Sequence, residues 1–258
     1  MSGFLLIDKP EGMTSHDVVS RIRRLAGEKR VGHAGTLDPF ATGLLIVGVG
    51  RVATREFSKL VGLDKEYEAE FVLGATSDTD DRTGVIASSE GARQSTERLL
   101  RSARNDEVAN HITDTVKQFT GPIQQIPCTY SAIKINGKKM YEAARAGKPL
   151  EAKPRSVTVY SFELIESIQD DAGSRDPAYI RFRIHCSSGT YIRALARDLG
   201  QILKTGGYVQ ELRRTAVGPF RIEQSTALRD LTPETIQQAI LPIETILSQI
   251  PSSATVSS

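Results

Sequence analysis

The sequence predicts an α+β fold with a central, mostly antiparallel mixed sheet flanked by helices. Near the N-terminus, a short apolar strand at residues 4–7 is followed by a helix whose apolar residues recur on one face. Residues 65–73 alternate between apolar and acidic side chains, which is typical of a half-buried antiparallel strand. The pattern returns to strands between Ser156 and Cys186. Strands at both ends of the chain with helices between them favour the α+β class.

Local signals place the individual elements. The first helix is expected from about Ser15 to a stop at Gly27, and a buried strand at residues 44–49. Asn136-Gly137 predicts a tight hairpin because both positions suit left-handed backbone. The remaining predicted elements are a helix through residues 112–119, a short helix at 140–146, a polar loop at 169–177, a helix opening at Thr190, a strand at 208–213, two short helices within 233–250 and a disordered tail at 251–258.

Composition is that of a soluble globular enzyme. Hydrophobic residues make up 39% and charged residues 25% of the 258 positions. No run of about 18 apolar residues indicates a membrane helix, and Asp8 and Lys9 interrupt the only apolar run near the N-terminus. The two cysteines, Cys128 and Cys186, are far apart and predict neither a disulfide framework nor a cysteine zinc site. We therefore expect a cytoplasmic protein without a membrane partner.

Charge is unevenly distributed along the chain. The net charge is only +2, yet residues 134–155 carry seven basic and two acidic side chains, a local charge of +5. Such asymmetry suits a protein with one phosphate-facing side. Ordinary solvated lysines explain the same pattern equally well.

Cofactor and metal sites are not indicated. Residues 48–53 fit a dinucleotide-binding glycine pattern, but the strands that follow form a meander instead of a crossover unit. The four histidines show no ligand spacing. We expect neither a cofactor nor a metal.

The glycine-rich segment 32–43 is the most informative part of the sequence. Three glycines surround one histidine, His33, and one aspartate, Asp38, in a loop whose backbone can approach another group closely. Pro39 disfavours helix at Asp38 and holds it extended or in a turn. On the residues alone, a structural carboxylate in an Asp-Pro turn and a reactive carboxylate both remain open.

This segment, Gly-His-Ala-Gly-Thr-Leu-Asp-Pro-Phe-Ala-Thr-Gly, resembles the signature loop of the TruB family, bacterial synthases that form pseudouridine at position 55 of transfer RNA. Five further segments resemble family motifs in the same order, so that the match runs from about residue 3 to 227. They are residues 6–15 with Lys9-Pro10, residues 65–67 with Tyr67, residues 130–139, residues 188–193 ending in Arg193, and residues 211–214.

The resemblance implies a pseudouridine synthase fold and a base-flipping reaction with an aspartate nucleophile. It makes Asp38 that nucleophile and pairs it with Arg193, whose alternative is an ordinary exposed helix arginine. It places the ring of Tyr67 on the flipped base, with its hydroxyl as a possible base. A core tyrosine is the alternative for Tyr67.

Three other residues are implied to receive the flipped uridine. His33 would occupy the space that the base vacates, which offsets part of the unstacking cost. Tyr191 and Leu212 would complete the base pocket. The alternatives are a loop histidine for His33 and a core leucine for Leu212.

An insertion at about residues 123–154 is implied to clasp the RNA. Lys134, Lys138 and Lys139 within it, together with Lys9 near the N-terminus, would contact phosphates. Transfer RNA is the expected partner, and we expect a monomer that needs no protein partner.

Residues 1–227 would form the catalytic domain, and 228–258 a short helical extension with the disordered tail. We expect no complete C-terminal RNA-binding module in so short a stretch. The resemblance leaves two alternatives to a stand-alone transfer RNA enzyme: a guide-dependent pseudouridine synthase and a non-catalytic RNA chaperone.

Overall fold

The computed structural model describes residues 2–101, 105–168 and 178–251. The strands are β1 Gly3–Lys9, β2 Val31–Ala34, β3 Thr42–Val49, β4 Lys65–Leu73, β5 Thr76–Ser77, β6 Ile86–Ala87, β7 Gly121–Gln125, β8 Lys134–Ile135, β9 Lys138–Lys139, β10 Arg155–Ile168, β11 Ala178–Cys186, β12 Gly207–Val217, β13 Phe220–Arg221 and β14 Thr226–Ala227. The helices are α1 Ser15–Ala26, α2 Gly50–Arg55, α3 Phe57–Val61, α4 Glu90–Arg101, α5 Asn105–Val116, α6 Met140–Arg145, α7 Ile192–Leu203, α8 Ile236–Ala239 and α9 Ile243–Leu247. Within these ranges, no helix combines the length and apolar character needed to cross a bilayer.

The chain forms two compact units. The first unit comprises Met1–Tyr67 and Leu212–Ser258, and the second comprises Glu68–Glu211. The division predicted at residue 227 stays a prediction. Residues on both sides of it belong to the first unit, where β14 pairs with β1.

The first unit is built on a mixed sheet. β3 pairs antiparallel with β1 and with β2, whereas β14 and β12 add parallel pairs to β1 and β3 respectively. Successive residues of β1 enter opposite cores: Leu5 and Ile7 pack with α1, and Phe4 and Leu6 pack on the other face. Because both faces are covered, β1 and β3 read as continuous apolar runs instead of alternating ones.

Helix α1 has the boundaries that its sequence predicts. The Thr14 hydroxyl accepts from the amide of Asp17, and the Asp17 carboxylate accepts from the amide of Thr14, which is a capping box. Val18 and Ile22 lie fully buried one turn apart. Gly27 ends the helix in the left-handed region, with φ of 62°.

The second unit carries an antiparallel sheet. β10 pairs with β11 and with β7, and β4 lies beside β11. Phe71, Phe162 and Phe182 form a buried aromatic cluster on this sheet, with ring centroids 4.9–6.0 Å apart. The alternation predicted for residues 65–73 is confirmed by burial along β4, because Tyr67, Ala69, Phe71 and Leu73 are buried while Glu66, Glu68 and Glu70 are more exposed.

Two local predictions in the second unit have different outcomes. The Asn136-Gly137 hairpin is confirmed, because these residues have φ of 52° and 80° between β8 and β9. Helix α7 begins at Ile192 instead of at Thr190. Gly189, with φ of 86°, lies in a turn that delays the helix.

The two short helices predicted within residues 233–250 are confirmed as α8 and α9. The predicted polar loop at 169–177 and nearly all of the predicted disordered tail lie outside the described residues. The α+β class with a mostly antiparallel mixed sheet is confirmed.

Candidate active site

Asp38 lies at the start of a tight turn in the first unit. The amide of Ala41 donates to the Asp38 carbonyl at 3.1 Å. Asp38 is half-buried and Pro39 is exposed. The loop enters this turn through Gly35, whose φ of 95° is costly for any residue with a side chain. Asp38 is therefore a partly accessible residue in a well-defined turn.

Ser15, the first residue of α1, holds the residue before Asp38. Its hydroxyl accepts from the Leu37 amide at 2.9 Å and donates to the Leu37 carbonyl at 3.1 Å. Both Ser15 and Leu37 are buried. A single side chain thus satisfies both backbone groups of Leu37 and sets the direction in which the chain enters Asp38.

Lys9 holds the residue after Asp38. Its ammonium donates to the carbonyls of Pro10, Met13 and Pro39 at 2.9, 2.7 and 3.3 Å, and the residue is fully buried. Burial lowers the pKa of Lys9 to about 8, an effect that the charge of Asp38 partly opposes. Lys9 was expected to contact phosphate. Since its three protons are donated to carbonyls inside the protein, this placement favours a role in shaping the loop instead.

Arg214 binds the backbone at the start of the loop. Its buried guanidinium donates to the carbonyls of Leu44, Thr36 and Gly35 at 2.8, 3.3 and 3.2 Å. A Cβ at Gly43 would collide with the backbone of Arg214, and Gly43 also has φ of 103°. Glycine is required here because β3 and β12 approach each other closely.

His33, on β2, is half-buried and packs edge-on against His16, with ring centroids 5.6 Å apart. Burial lowers the pKa of His33 to about 4, and the neighbouring charges of His16 and Arg214 add to this. Its Nδ1 is buried and has no hydrogen-bond partner among the described residues. The ring is therefore a neutral, flat group with one unused polar atom.

Tyr67 on β4 and Leu212 on β12 are both nearly buried, with 9% and 7% of their surfaces exposed. Burial of this kind agrees with a core position as well as with a place in a base pocket. Their roles in contacting the base stay predictions.

Arg193 lies buried in the first turn of α7, in the second unit. Its guanidinium donates to the Thr79 carbonyl at 2.9 Å, to the Asp81 carboxylate at 3.0 Å and to the Tyr130 carbonyl at 3.0 Å. The alternative of an ordinary exposed helix arginine is thereby wrong. The predicted pairing with Asp38 concerns residues of different units and stays a prediction.

Asp81 is a residue that sequence reasoning missed. It is buried, and its second carboxylate oxygen accepts from the hydroxyl of Thr79 and from the amide and hydroxyl of Thr83, at 2.8, 2.9 and 2.5 Å. The run of Asp, Thr and Gly at residues 78–84 is the signal that could have drawn attention to it, because such clusters favour side-chain bonds to backbone.

Tyr191 precedes α7 and is tied to β7. Its amide donates to the side-chain carbonyl of Gln125 at 2.8 Å, and the Gln125 amide returns a bond to the Tyr191 carbonyl at 3.1 Å. Burial raises the pKa of Tyr191, while a hydrogen bond with Ser131 lowers it. The phenol is thus protonated at neutral pH and its backbone is fixed.

The predicted phosphate-binding lysines lie on the hairpin β8–β9. Lys134 and Lys138 are exposed. Lys139 is half-buried, and its ammonium donates to the Tyr141 hydroxyl at 3.2 Å and lies 3.4 Å from Glu142. Lys134 and Lys138 are therefore more accessible to a phosphate than Lys139.

Each unit carries one of the two charged groups that the resemblance assigns to the reaction, Asp38 in the first and Arg193 in the second. Asp38 is half-buried in a turn that Ser15 and Lys9 hold through its neighbours, and the Arg193 guanidinium is buried with three fixed acceptors. A carboxylate of this kind can act as a nucleophile.

Two solved structures and several sequences resemble this chain. A chain in the structure described as "Crystal Structure of a Cbf5-Nop10-Gar1 Complex" matches 96% of it with a TM-score of 0.68 and 29% identity, and this chain spans 62% of that one. A chain in "Structure of H/ACA RNP bound to a substrate RNA containing 2'-deoxyuridine" matches with a TM-score of 0.65, 27% identity and coverage of 96% and 61%.

Among curated proteins, tRNA pseudouridine synthase B of Arthrobacter sp. is 45% identical over 91% of this chain and 72% of its own length. The protein of the same name from Thermobifida fusca is 47% identical over 90% of this chain and 75% of its own length. The family model for the N-terminal domain of TruB pseudouridylate synthases matches residues 23–192, and the model for the C-terminal domain of tRNA pseudouridylate synthase B matches residues 193–248. The chain therefore belongs to the TruB family of pseudouridylate synthases.

Proposed function

We propose that this chain isomerises uridine to pseudouridine in transfer RNA, at position 55 in the T-arm loop, with Asp38 as the nucleophile. The observation that supports it most is the bracing of the Asp38 turn from both sides. Ser15 and Lys9 bind the residues before and after Asp38, and both come from the motif at residues 6–15. An enzyme needs its reacting group held in place before the substrate arrives.

The reaction is an isomerisation and needs no external reagent. The bond from ribose C1′ to uracil N1 breaks, the base turns, and a bond forms from C1′ to C5. The proton on C5 is then removed and N1 gains one, so that atoms balance without oxidant or group donor. Asp38 supplies the carboxylate that assists cleavage of the first bond, and Tyr67 is the candidate base for the later proton transfer.

The uridine must leave its stack to reach Asp38. His33 is suited to fill the space left behind, because its ring is neutral at physiological pH and its buried Nδ1 can still accept or donate a hydrogen bond. Tyr67, Tyr191 and Leu212 are proposed to hold the extruded base. Arg193 is proposed to orient the Asp38 carboxylate.

Lys134 and Lys138 are proposed to bind the RNA backbone. Both are exposed on a tight hairpin, in which Asn136 and Gly137 take the left-handed conformation. Recognition through backbone charge and the shape of a folded stem-loop would explain how a chain with net charge +2 binds RNA. The proposed catalytic domain at residues 1–227 includes this hairpin.

The test uses purified chain and an unmodified transfer RNA transcript with tritium at uridine C5, whose release reports the reaction. Wild type should release one tritium per transcript, and Asp38→Asn none, with RNA binding retained. Asp230→Asn is the matched control, because Asp230 is an exposed aspartate of the same unit. Asp38→Asn with the wild-type rate would refute the nucleophile assignment.

A guide-dependent synthase is the second candidate. It is favoured by the likeness to proteins solved as Cbf5-Nop10-Gar1 and H/ACA RNP complexes. It predicts that the purified chain is inactive alone and gains activity with guide RNA and partner proteins. A non-catalytic RNA chaperone predicts instead that Asp38→Asn changes nothing measurable.

A further inference from the structure

Helix α7 carries a second arginine, Arg197, one turn after Arg193. Residues four apart lie on the same face of a helix. The Arg197 guanidinium donates to the Asp80 carboxylate at 3.2 Å, to the Ile126 carbonyl at 2.9 Å and to the Asp198 carboxylate at 2.8 Å. Neither the sequence patterns nor the proposed reaction explains why a second arginine is needed here.

Both arginines join the same two segments to α7. Arg193 binds the loop at Thr79 and Asp81 and the segment at Tyr130. Arg197 binds the same loop at Asp80 and the same segment at Ile126. These five contacts form two bridges between α7 and the same two segments, so that moving one bridge displaces the acceptors of the other.

Asp80, which pairs with Arg197, has an unfavourable backbone conformation. Its φ of 60° is left-handed, which costs any residue other than glycine. Its carbonyl accepts from the Val209 amide at 3.1 Å, and the Cys128 thiol hydrogen-bonds to its carboxylate. Burial raises the pKa of Asp80, and the charge of Arg197 opposes that shift. Such a residue persists only where several contacts over-determine it.

The segment that Arg197 anchors leads into the basic hairpin. Just beyond it, the Tyr141 amide donates to the Ser131 carbonyl at 3.1 Å and the Met140 amide donates to the Ile133 carbonyl at 2.8 Å. The base of β8–β9 is therefore attached to the same stretch of chain that accepts bonds from both arginines.

We propose that Arg197, paired with Asp80, is a positioning residue for the isomerisation. It aligns the Arg193 guanidinium and the root of the RNA-binding hairpin by fixing the two segments, at residues 79–81 and 126–130, to which both arginines bind. This inference rests on the proposed function. It adds a residue that touches neither substrate nor reacting atoms.

If Arg197 had a purely structural role, its removal would mainly lower the free energy of unfolding. Removing one partner of a half-buried ion pair leaves the other charge uncompensated, so Arg197→Gln should also lower stability to some extent. Arg197 and Asp80 are 22% and 13% exposed. A displacement of about 1 Å at a reacting group, in contrast, lowers a rate by about 100-fold. We therefore expect an effect on turnover out of proportion to the effect on stability.

The experiment measures single-turnover pseudouridine formation at saturating enzyme, the dissociation constant for transfer RNA and the melting temperature. Arg197→Gln should lower the rate by about 10- to 100-fold while the dissociation constant changes by less than about threefold. Arg197→Lys keeps the charge but cannot bridge both segments, and it should recover part of the rate. Arg183→Gln is the matched control, because it removes a surface arginine paired with Glu68 in the same unit.

Asp80→Asn tolerates the left-handed backbone and tests the pair if Arg197→Gln does not fold. The double variant should lose no more rate than the worse single variant, since both changes break one bridge. A rate for Arg197→Gln within twofold of wild type, or a loss equal to that of Arg183→Gln, would overturn the inference. An inactive wild-type chain would instead contradict the proposed function. Failure of the Arg197 inference and failure of the proposed function are therefore distinguishable.

Discussion

The Ser15 hydroxyl exchanges two hydrogen bonds with the backbone of Leu37, accepting from its amide at 2.9 Å and donating to its carbonyl at 3.1 Å. Leu37 immediately precedes Asp38, and 22 residues separate it from Ser15 along the chain. The position of the proposed nucleophile therefore depends on where α1 begins. Thr14, which caps α1, fixes that start.

Ser15→Ala should lower the rate of pseudouridine formation by about tenfold or more, because the Leu37 backbone loses the side chain that holds both its amide and its carbonyl. It should also lower the free energy of unfolding by about 1–3 kcal/mol, since two buried backbone groups lose a partner. Single-turnover tritium release and urea denaturation measure the two effects. Ser20→Ala, an exposed position on the same helix, should change neither. Full activity in Ser15→Ala would show that the turn holds its shape without this contact.

Asp81→Asn should slow the reaction by about tenfold or more, because the Arg193 guanidinium loses the carboxylate that fixes one of its nitrogens. Asparagine keeps one oxygen for the threonine contacts, so we expect a stability loss of about 1–3 kcal/mol. The rate is to be compared at a temperature where both proteins are folded. Asp114→Asn, which removes an exposed aspartate paired with Lys117, serves as the control. If the two variants behave alike, the Asp81 contact does not orient Arg193.

His33 should make the protein less stable in mild acid. Its folded pKa of about 4 lies below its ordinary value of 6.5, so the unfolded chain binds the proton first as pH falls. Stability from this group is present above pH 6.5 and is lost toward pH 4. Between pH 7 and 5 the loss is about 2 kcal/mol at most.

The measurement for His33 is urea denaturation of wild type and His33→Gln at the two pH values. The variant should show a smaller fall in unfolding free energy than wild type. His111→Gln, an exposed histidine in the other unit, should keep the full wild-type fall. Equal falls in wild type and His33→Gln would mean that His33 titrates in the same way folded and unfolded.

Lys138→Ala should weaken RNA binding to a similar extent for any sequence of the stem-loop, because backbone contacts carry no sequence information. The slope of log K against log salt should become shallower by about one unit. Filter binding at several salt concentrations measures both. Lys117→Ala, which removes a lysine already paired with Asp114, is the control and should leave the slope unchanged. An unchanged slope for Lys138→Ala would place the RNA elsewhere.

Much of the secondary structure was predictable because it depends on periodicity and on helix caps. The alternation at residues 65–73 depends on which face of the strand is buried. The helix end at Gly27 depends on a residue that tolerates the left-handed backbone. The start of α7 was misplaced by two residues for the same kind of reason. A turn at Gly189 competes with the helix, and the apolar pattern does not record it.

The sequence by itself determined the α+β class, the tight hairpin at Asn136-Gly137 and, through six ordered motifs, the family to which the chain belongs. Only the tertiary structure decided that Lys9 turns inward to the Asp38 turn, that Arg214 supports it, and that Arg193 has Asp81 as a carboxylate partner. The physical reason is the separation along the chain over which each effect acts. Periodicity and turn preference act between neighbours in the chain, whereas a hydrogen bond such as that of Arg193 to Asp81 joins residues 112 positions apart and exists only once the fold has brought them within 3.0 Å.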